Sequence, residues 1–344
     1  MSIQITDCTI RDGGYLLEKN SSPDFVKGII QGLLDAGIDY IETGFLQDNV
    51  NGETIVYNNS RDARKYFPSG VNNEHLLGFC DNSRYSAKKL DAYDGTSFRW
   101  IRISFAQHEC ESALEFCRQI KEKGYLVQFN PMDAISYSPV AWEKLLHAVN
   151  GVRPDSFSIV DTFGAMYLED LATIFKQTDS ILDKEIKIGL HSHDNLGLSC
   201  ALAETLIALA EEAARDVIVD GSLLGMGRGA GNAPTELLAA YINHKHGGKY
   251  DISVLLNIID RYIVPLRENI HWGYDLPMFI CGIEHAHVDN IYYLQKHTDC
   301  SPREMYAIID DMPAQHRTRY GSNYSKSDFS ALQEAYERTG GSKK

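Results

Sequence analysis

The chain has 344 residues, 44% of them hydrophobic and 23% charged, which excludes a wholly disordered or fibrous protein. Its 33 basic and 47 acidic residues leave a formal net charge of −14, which repels phosphate backbones and argues against a nucleic-acid partner. No apolar run approaches the roughly 18 residues of a membrane span, and the first residues lack the basic and apolar regions of a secretory leader, so a cytoplasmic chain is expected.

In chain order, residues 3–6 form an apolar, β-branched run that reads as a strand. Residues 24–36 follow as an amphipathic helix, with Phe25, Ile29, Ile30, Leu33 and Leu34 on one face. The alternation then repeats. Further strands are expected at 40–43, 76–79, 100–104, 126–129, 157–160, 186–190 and 217–219. The helices expected between and after them cover 60–66, 83–91, 109–123, 139–150, 168–178, 198–214 and 234–244. Eight strand–helix units in this length predict a (β/α)8 TIM barrel. A doubly wound open sheet is the rival, but it seldom needs eight strands.

After Gly247-Gly248 the pattern becomes polar and helical, with helices expected at 253–267, 287–297, 302–310 and 326–338. The expected division is a catalytic barrel over 1–248 and a small helical C-terminal domain over 249–344. Seven scattered cysteines without a CxxC pair predict a reduced chain lacking a disulfide framework or a cysteine zinc site.

In a barrel, chemistry sits where each strand hands over to its helix. The first strand is followed by Thr9-Ile10-Arg11-Asp12-Gly13-Gly14. Asp12 would point into the mouth, and Arg11 could hold a carboxylate or an enolate oxygen. The plainer reading is an ion pair in a glycine turn. The seventh strand ends in His191-Ser192-His193-Asp194-Asn195. Side chains two apart on a strand project to the same side, so both imidazoles can face one metal. The eighth is followed by Gly225-Met226-Gly227-Arg228-Gly229-Ala230-Gly231-Asn232-Ala233-Pro234. This superficially contains a dinucleotide fingerprint, but no βαβ unit comes after it. It reads better as a glycine loop over the site. There Asn232 either caps the next helix or serves the metal, because one side-chain oxygen cannot do both. Glu42, Arg102, Asn130 and Thr162, in or just after other strands, complete a polar ring that would contact substrate.

Together, Asp7-Cys8-Thr9-Ile10-Arg11-Asp12-Gly13, His191-Ser192-His193-Asp194-Asn195-Leu196-Gly197 and Gly229-Ala230-Gly231-Asn232-Ala233-Pro234 resemble the DRE-TIM (HMGL-like) metallolyases. The glycine loop is most similar to the 4-hydroxy-2-oxovalerate aldolase branch. The resemblance implies a divalent cation held by Asp12, His191 and His193, with Asn232 as a fourth or nearby ligand. Mn2+ is the first choice, with Mg2+ and Zn2+ as alternatives. It also implies that Arg11 stabilises an enolate at the metal while a C–C bond next to a 2-oxo acid is cleaved or formed.

One position departs from the branch. It usually carries an acid–base histidine where Tyr15 stands here. Tyr15, His285 and His287 are therefore the candidates for that role. The resemblance further implies a small 2-oxo acid and an aldehyde as substrates, a homo-oligomer, and an aldehyde dehydrogenase as a partner. Two other functions fit the same residues: a Claisen-type acyl transferase, and a barrel that binds metal or ligand without turnover.

Overall fold

The computed structural model describes residues 1–50, 53–318 and 328–339. Its sheet consists of β1 (Ile3–Asp7), β2 (Tyr40–Leu46), β3 (Val56–Tyr57), β4 (Leu76–Asp81), β5 (Trp100–Phe105), β6 (Leu126–Pro131), β7 (Ser156–Asp161), β8 (Lys187–Ser192) and β9 (Val217–Gly221). All pairings are parallel. β1 pairs with both β9 and β2, so eight strands close into a barrel, while β3 hangs on the outer edge of β2. The ring is covered by helices outside and side chains inside, so β2, β5, β7 and β9 are buried along their whole length. All eight expected strands are present. Each runs one to three residues beyond the expected C-terminal end, and those extra residues form the mouth.

The outer ring contains α1 (Pro23–Asp35), α2 (Cys110–Glu122), α3 (Pro139–Val152), α4 (Leu168–Ile181), α5 (Ser199–Ala213) and α6 (Thr235–His246). α1 starts where the Ser22 side chain accepts from Phe25 N, with Pro23 in the first turn. Two expected helices differ. Residues 60–66 form a 3-10 helix, and of 83–91 only Ala87–Lys89 is helical. The cause at the second is local: the Asp81 carboxylate accepts from Ser83 N and Oγ, which commits the chain to a turn. Asn232 does not cap α6; Pro234 stands at that position.

Beyond the barrel lie α7 (Ile252–Ile258), α8 (Leu276–Ile283), α9 (Val288–His297), α10 (Pro302–Asp311), α11 (Ala314–Arg317) and α12 (Asp328–Arg338). The single helix expected over 253–267 breaks into α7, a π turn and a 3-10 turn. Pro265 lacks the N–H an α-helix would need there. α8 and α11 were not expected from the sequence, and residues 326–327 of the last expected helix lie outside the described residues. The segment after Gly248 serves two cores. Tyr250, Leu255, Ile258, Ile263 and Trp272 join the barrel's own core. Met278, Ile291, Ile308 and Leu332 form a second one, which reaches the barrel through Ala230 of the glycine loop. Among the described residues, no helix is long and apolar enough to cross a membrane.

Candidate active site

The chain turns directly after β1, with Asp12 N bonded to Cys8 O, and this presents Arg11 and Asp12 at the barrel mouth. Arg11 is clamped on two sides. Its Nε donates to Glu42 Oε2 at 2.7 Å and its Nη1 to Asp12 Oδ1 at 2.7 Å. Its plane lies over the Phe79 ring, 4.6 Å from the centroid. Burial works against its charge, but Glu42 and Asp12 hold the guanidinium protonated. Burial alone would likewise raise the Asp12 carboxyl; Arg11 and His193 override it and hold the group well below the usual carboxylate range.

β8 delivers the two histidines. Asp12, His191 and His193 each offer one ligand atom, and these atoms lie within 4.8 Å of one another. Both rings are oriented from behind. His191 Nδ1 lies 3.0 Å from Asp220 Oδ2, and His193 Nδ1 lies 3.3 Å from the Asp161 carbonyl oxygen. An acceptor at Nδ1 places the proton there and leaves Nε2 with its lone pair. His193 Nε2 stands 3.5 Å from Asp12 Oδ2. Burial lowers the His191 pKa, which favours the neutral ring that metal ligation requires.

The glycine loop closes the other side. A bridge pairs Asn232 with His193, and Asn232 Nδ2 donates to Asp12 Oδ2 at 2.6 Å. The approach requires Gly231, whose φ is +87° and whose Cβ, if present, would sit 1.9 Å from Gly225 O.

Two observations test whether this set suits a cation. Asn232 Oδ1 is buried with no hydrogen-bond partner in the described structure. The ion-paired groups behind the site are also unbalanced: Arg11 and Arg102 face Asp12, Glu42 and Asp220, leaving one excess buried negative charge. A divalent cation would satisfy the orphan oxygen and reverse that excess.

Comparison with known proteins agrees. The HMGL-like family model matches residues 2–260. This chain belongs to the HMGL-like family. Two curated relatives are 4-hydroxy-2-oxovalerate aldolases. That of Chloroflexus aggregans is 30% identical over 244 residues, spanning 70% of this chain and 69% of the relative. That of Thermomicrobium roseum is 28% identical over 245 residues, spanning 70% and 66%. The chain thus matches about two thirds of each relative's length. Among solved structures, the N-terminal domain of a candidate aldolase from Bacteroides vulgatus superposes with a TM-score of 0.70 at 25% identity, over 85% of this chain and 96% of that one.

In this HMGL-like barrel, Arg11, Asp12, Tyr15, Arg102, Asn130, Thr162, His191, His193 and His287 all line one cavity of about 110 Å3. Glu42 is behind it, bridging Arg11 and Arg102. Asn232 is behind Asp12. Thr162 Oγ1 accepts from Asp133 N. His285 lies outside the cavity: its Nε2 is 2.6 Å from Asp133 Oδ1, in a separate surface groove. His287 caps α9, its Nδ1 accepting from Asp289 N, so the proton resides on Nε2. Burial and the Arg228 charge push its pKa down to about 3, leaving a neutral ring. The sequence reading missed Asp220, which sits one residue beyond the expected end of its strand. It also missed Arg228, which is paired with Asp289 across the two cores.

Proposed function

We propose that this chain is a divalent-metal-dependent aldolase or lyase that cleaves or forms a C–C bond next to a 2-oxo acid of the pyruvate type through an enolate. Family membership and the aldolase relatives support the lyase/aldolase class. The observation that carries the finer reading is the Asp12–His191–His193 cluster facing one small cavity with Arg11.

Asp12, His191 and His193 would hold the ion, with Asn232 Oδ1 adjacent. Two imidazoles and hard oxygen donors suit Mn2+ first, then Mg2+ or Zn2+. When bound, the cation supplies Lewis-acid polarisation of the 2-oxo carbonyl.

The protein's own groups do the rest. Arg11 uses Nε and Nη1 on Glu42 and Asp12, so Nη2 remains to donate to the oxygen where negative charge develops. Asn130 Oδ1, buried and unsatisfied in the described structure, and Arg102 bound the substrate volume. In the condensation direction the methyl carbon of the 2-oxo acid gives up a proton to solvent water, the resulting enolate carbon attacks the aldehyde carbonyl carbon, and the new alkoxide takes a proton. Tyr15 is the donor for that last transfer. Burial raises its pKa, so the hydroxyl stays protonated, while Arg11 and Arg228 nearby stabilise the phenolate left behind.

The test is proton NMR of pyruvate in D2O with the Mn2+-loaded protein. Loss of the methyl signal that requires metal and Arg11 is expected, with EDTA-treated protein and Arg11→Ala inactive. Absence of exchange in protein shown by elemental analysis to hold metal would overturn pyruvate enolisation.

A further inference from the structure

The small inner cavity adjoins a second chamber of about 510 Å3 that shares Tyr15, Phe79, Thr162, Arg228 and His287 with it. If the 2-oxo acid occupies the inner space, whatever it reacts with extends into the outer one. The relatives' substrate, by its name, ends in a methyl group, which calls for neither this volume nor charge. The walls here are charged. Lys19, Arg84 and Arg228 line the chamber against only two carboxylates, Asp81 and Asp289. Those carboxylates are matched to Arg84 and Arg228 respectively. Lys19 is left over. Its Nζ has a neutral partner, Gln47 Oε1 at 3.1 Å; burial and Arg84 oppose its charge, and Glu53 and Asp81 attract it without forming an ion pair among the described residues. In a chain of formal net charge −14, a pocket with surplus positive charge is a local reversal, and low-dielectric walls focus it.

The placement of Lys19 is built rather than incidental. Glu18 and Lys19 have φ of 49° and 58°, two successive non-glycine residues in the left-handed region. Backbone bonds hold the turn: Lys19 N donates to Gly14 O at 2.7 Å, and Lys19 O accepts from Thr54 N at 3.1 Å. The result sets Nζ over the Phe45 ring at 4.6 Å and near the Tyr15 ring at 5.6 Å, beside the proposed proton donor. Arg228 sits over the same Tyr15 ring at 5.4 Å. Arg84 contributes a buried Nε that lies 3.3 Å from Asp81 Oδ2 without hydrogen-bond geometry. Its charge is felt at Tyr15, His287 and Asp289, which places it toward the same chamber.

We propose that this chamber recognises an anionic group, a carboxylate or a phosphate, on the aldehyde half of the substrate, with Lys19 and Arg84 as its binding residues. The inference rests on the aldolase reading for the word aldehyde, and on the chamber alone for the anion. The full substrate is then a 4-hydroxy-2-oxo acid whose far end carries a second negative charge. A lysine on an aromatic face beside an arginine donates charge-assisted hydrogen bonds to the oxygens of either group.

The test separates binding from turnover. Calorimetry on the Mn2+-loaded protein compares non-reacting, reduced forms of the aldehyde: 4-hydroxybutyrate against 1,4-butanediol, and glycerol 3-phosphate against glycerol. At least one anionic ligand is expected to bind ten-fold or more tightly than its neutral counterpart, and the stronger arm identifies carboxylate or phosphate. The preference should vanish in Lys19→Gln and Arg84→Gln but persist in Lys19→Arg, with melting temperatures showing that all variants are folded. Equal binding of neutral and anionic members in both arms, or an unchanged preference in folded Gln variants, overturns the proposal. Pyruvate methyl exchange by the unsubstituted protein is scored separately, so an anion-binding chamber without exchange would overturn pyruvate enolisation alone.

Discussion

His191 and Asp220 are locked together inside the barrel: Nδ1 lies 3.0 Å from Asp220 Oδ2, and that same oxygen lies 2.7 Å from Arg102 Nη1. The contact sets the tautomer of the histidine from a strand away. It also links His191 to Glu42 and Arg11, because Arg102 Nε lies 3.3 Å from Glu42 Oε1. Burial works against the Asp220 carboxylate, but Arg102 and His191 hold it ionised.

Asp220→Asn should therefore weaken metal binding without touching a ligand. Loss of such a supporting carboxylate typically costs about 10–100-fold in affinity. A Mn2+ titration followed by the paramagnetic resonance of free ion measures it. Affinity equal to that of the unsubstituted protein would show that Asp220 serves only Arg102.

Arg11→Lys separates charge from geometry. Lysine keeps the positive charge on one tetrahedral nitrogen, so it loses the planar fork that spans Glu42 and Asp12 and aims Nη2 into the cavity. Pyruvate methyl exchange should fall about 10²–10³-fold, the usual loss for one electrostatic donor. Arg11→Ala should lose stability as well, by about 3–5 kcal/mol, since two buried carboxylates are left facing one another. Urea unfolding of both variants distinguishes the two effects.

Tyr15→Phe keeps the ring against Phe45, 5.2 Å between centroids, and removes only the hydroxyl. Condensation should slow by about 10²–10⁴-fold if that hydroxyl delivers the proton. Pyruvate exchange, which needs no proton at the aldehyde oxygen, should persist. A variant that condenses at the parental rate would move the role to another group in the cavity.

Asp7 predicts a pH dependence of stability. Its carboxyl is fully buried, accepting from Thr9 N at 2.9 Å and Thr235 Oγ at 2.6 Å, and burial raises its pKa to about 6. An unfolded aspartate titrates near ~3.9, so between these values the folded state holds a proton the unfolded state has released. The stabilisation is full below about pH 4 and is lost as pH rises through about 6, a loss of about 3 kcal/mol. Asp7→Asn keeps the neutral form and should remove the Asp7 share of that slope, leaving the part that Asp161, also raised to about 6 by burial, contributes. Comparison of urea midpoints for the two proteins from pH 4 to 7 checks it, and parallel curves would contradict it.

Much of the barrel was legible because its signal is local. Each strand is a short apolar run, and six of the eight are followed by an α-helix with a buried stripe. The weak helix at 83–91 failed because the Asp81 side chain reaches two residues on to Ser83, a competition that periodicity does not register. The long helix expected at 253–267 failed at Pro265, which was readable in principle.

The site divides along the same line. Asp12, His191 and His193 were legible because strand alternation and strand ends constrain them within a few residues of chain. Asp220, Arg228, Lys19 and Arg84 were not. Their meaning comes from partners tens to hundreds of residues away: Arg102 for Asp220, Asp289 for Arg228, and the chamber shared by Lys19 and Arg84. His285 and His287 make the contrast plain. They stand two residues apart, yet one pairs with Asp133 in a surface groove and the other lines the cavity with a buried, neutral ring.

By itself, then, the sequence determined the alternating elements, the barrel they make, and the metal-type residues at the ends of its strands. These depend on backbone periods of two and 3.6 residues and on the few residues that come directly after each strand. Only the tertiary structure decided which nitrogen each histidine presents, which carboxylate balances which arginine, and where surplus positive charge collects. Those depend on distances and burial between segments remote in the chain, and charge interactions depend on both.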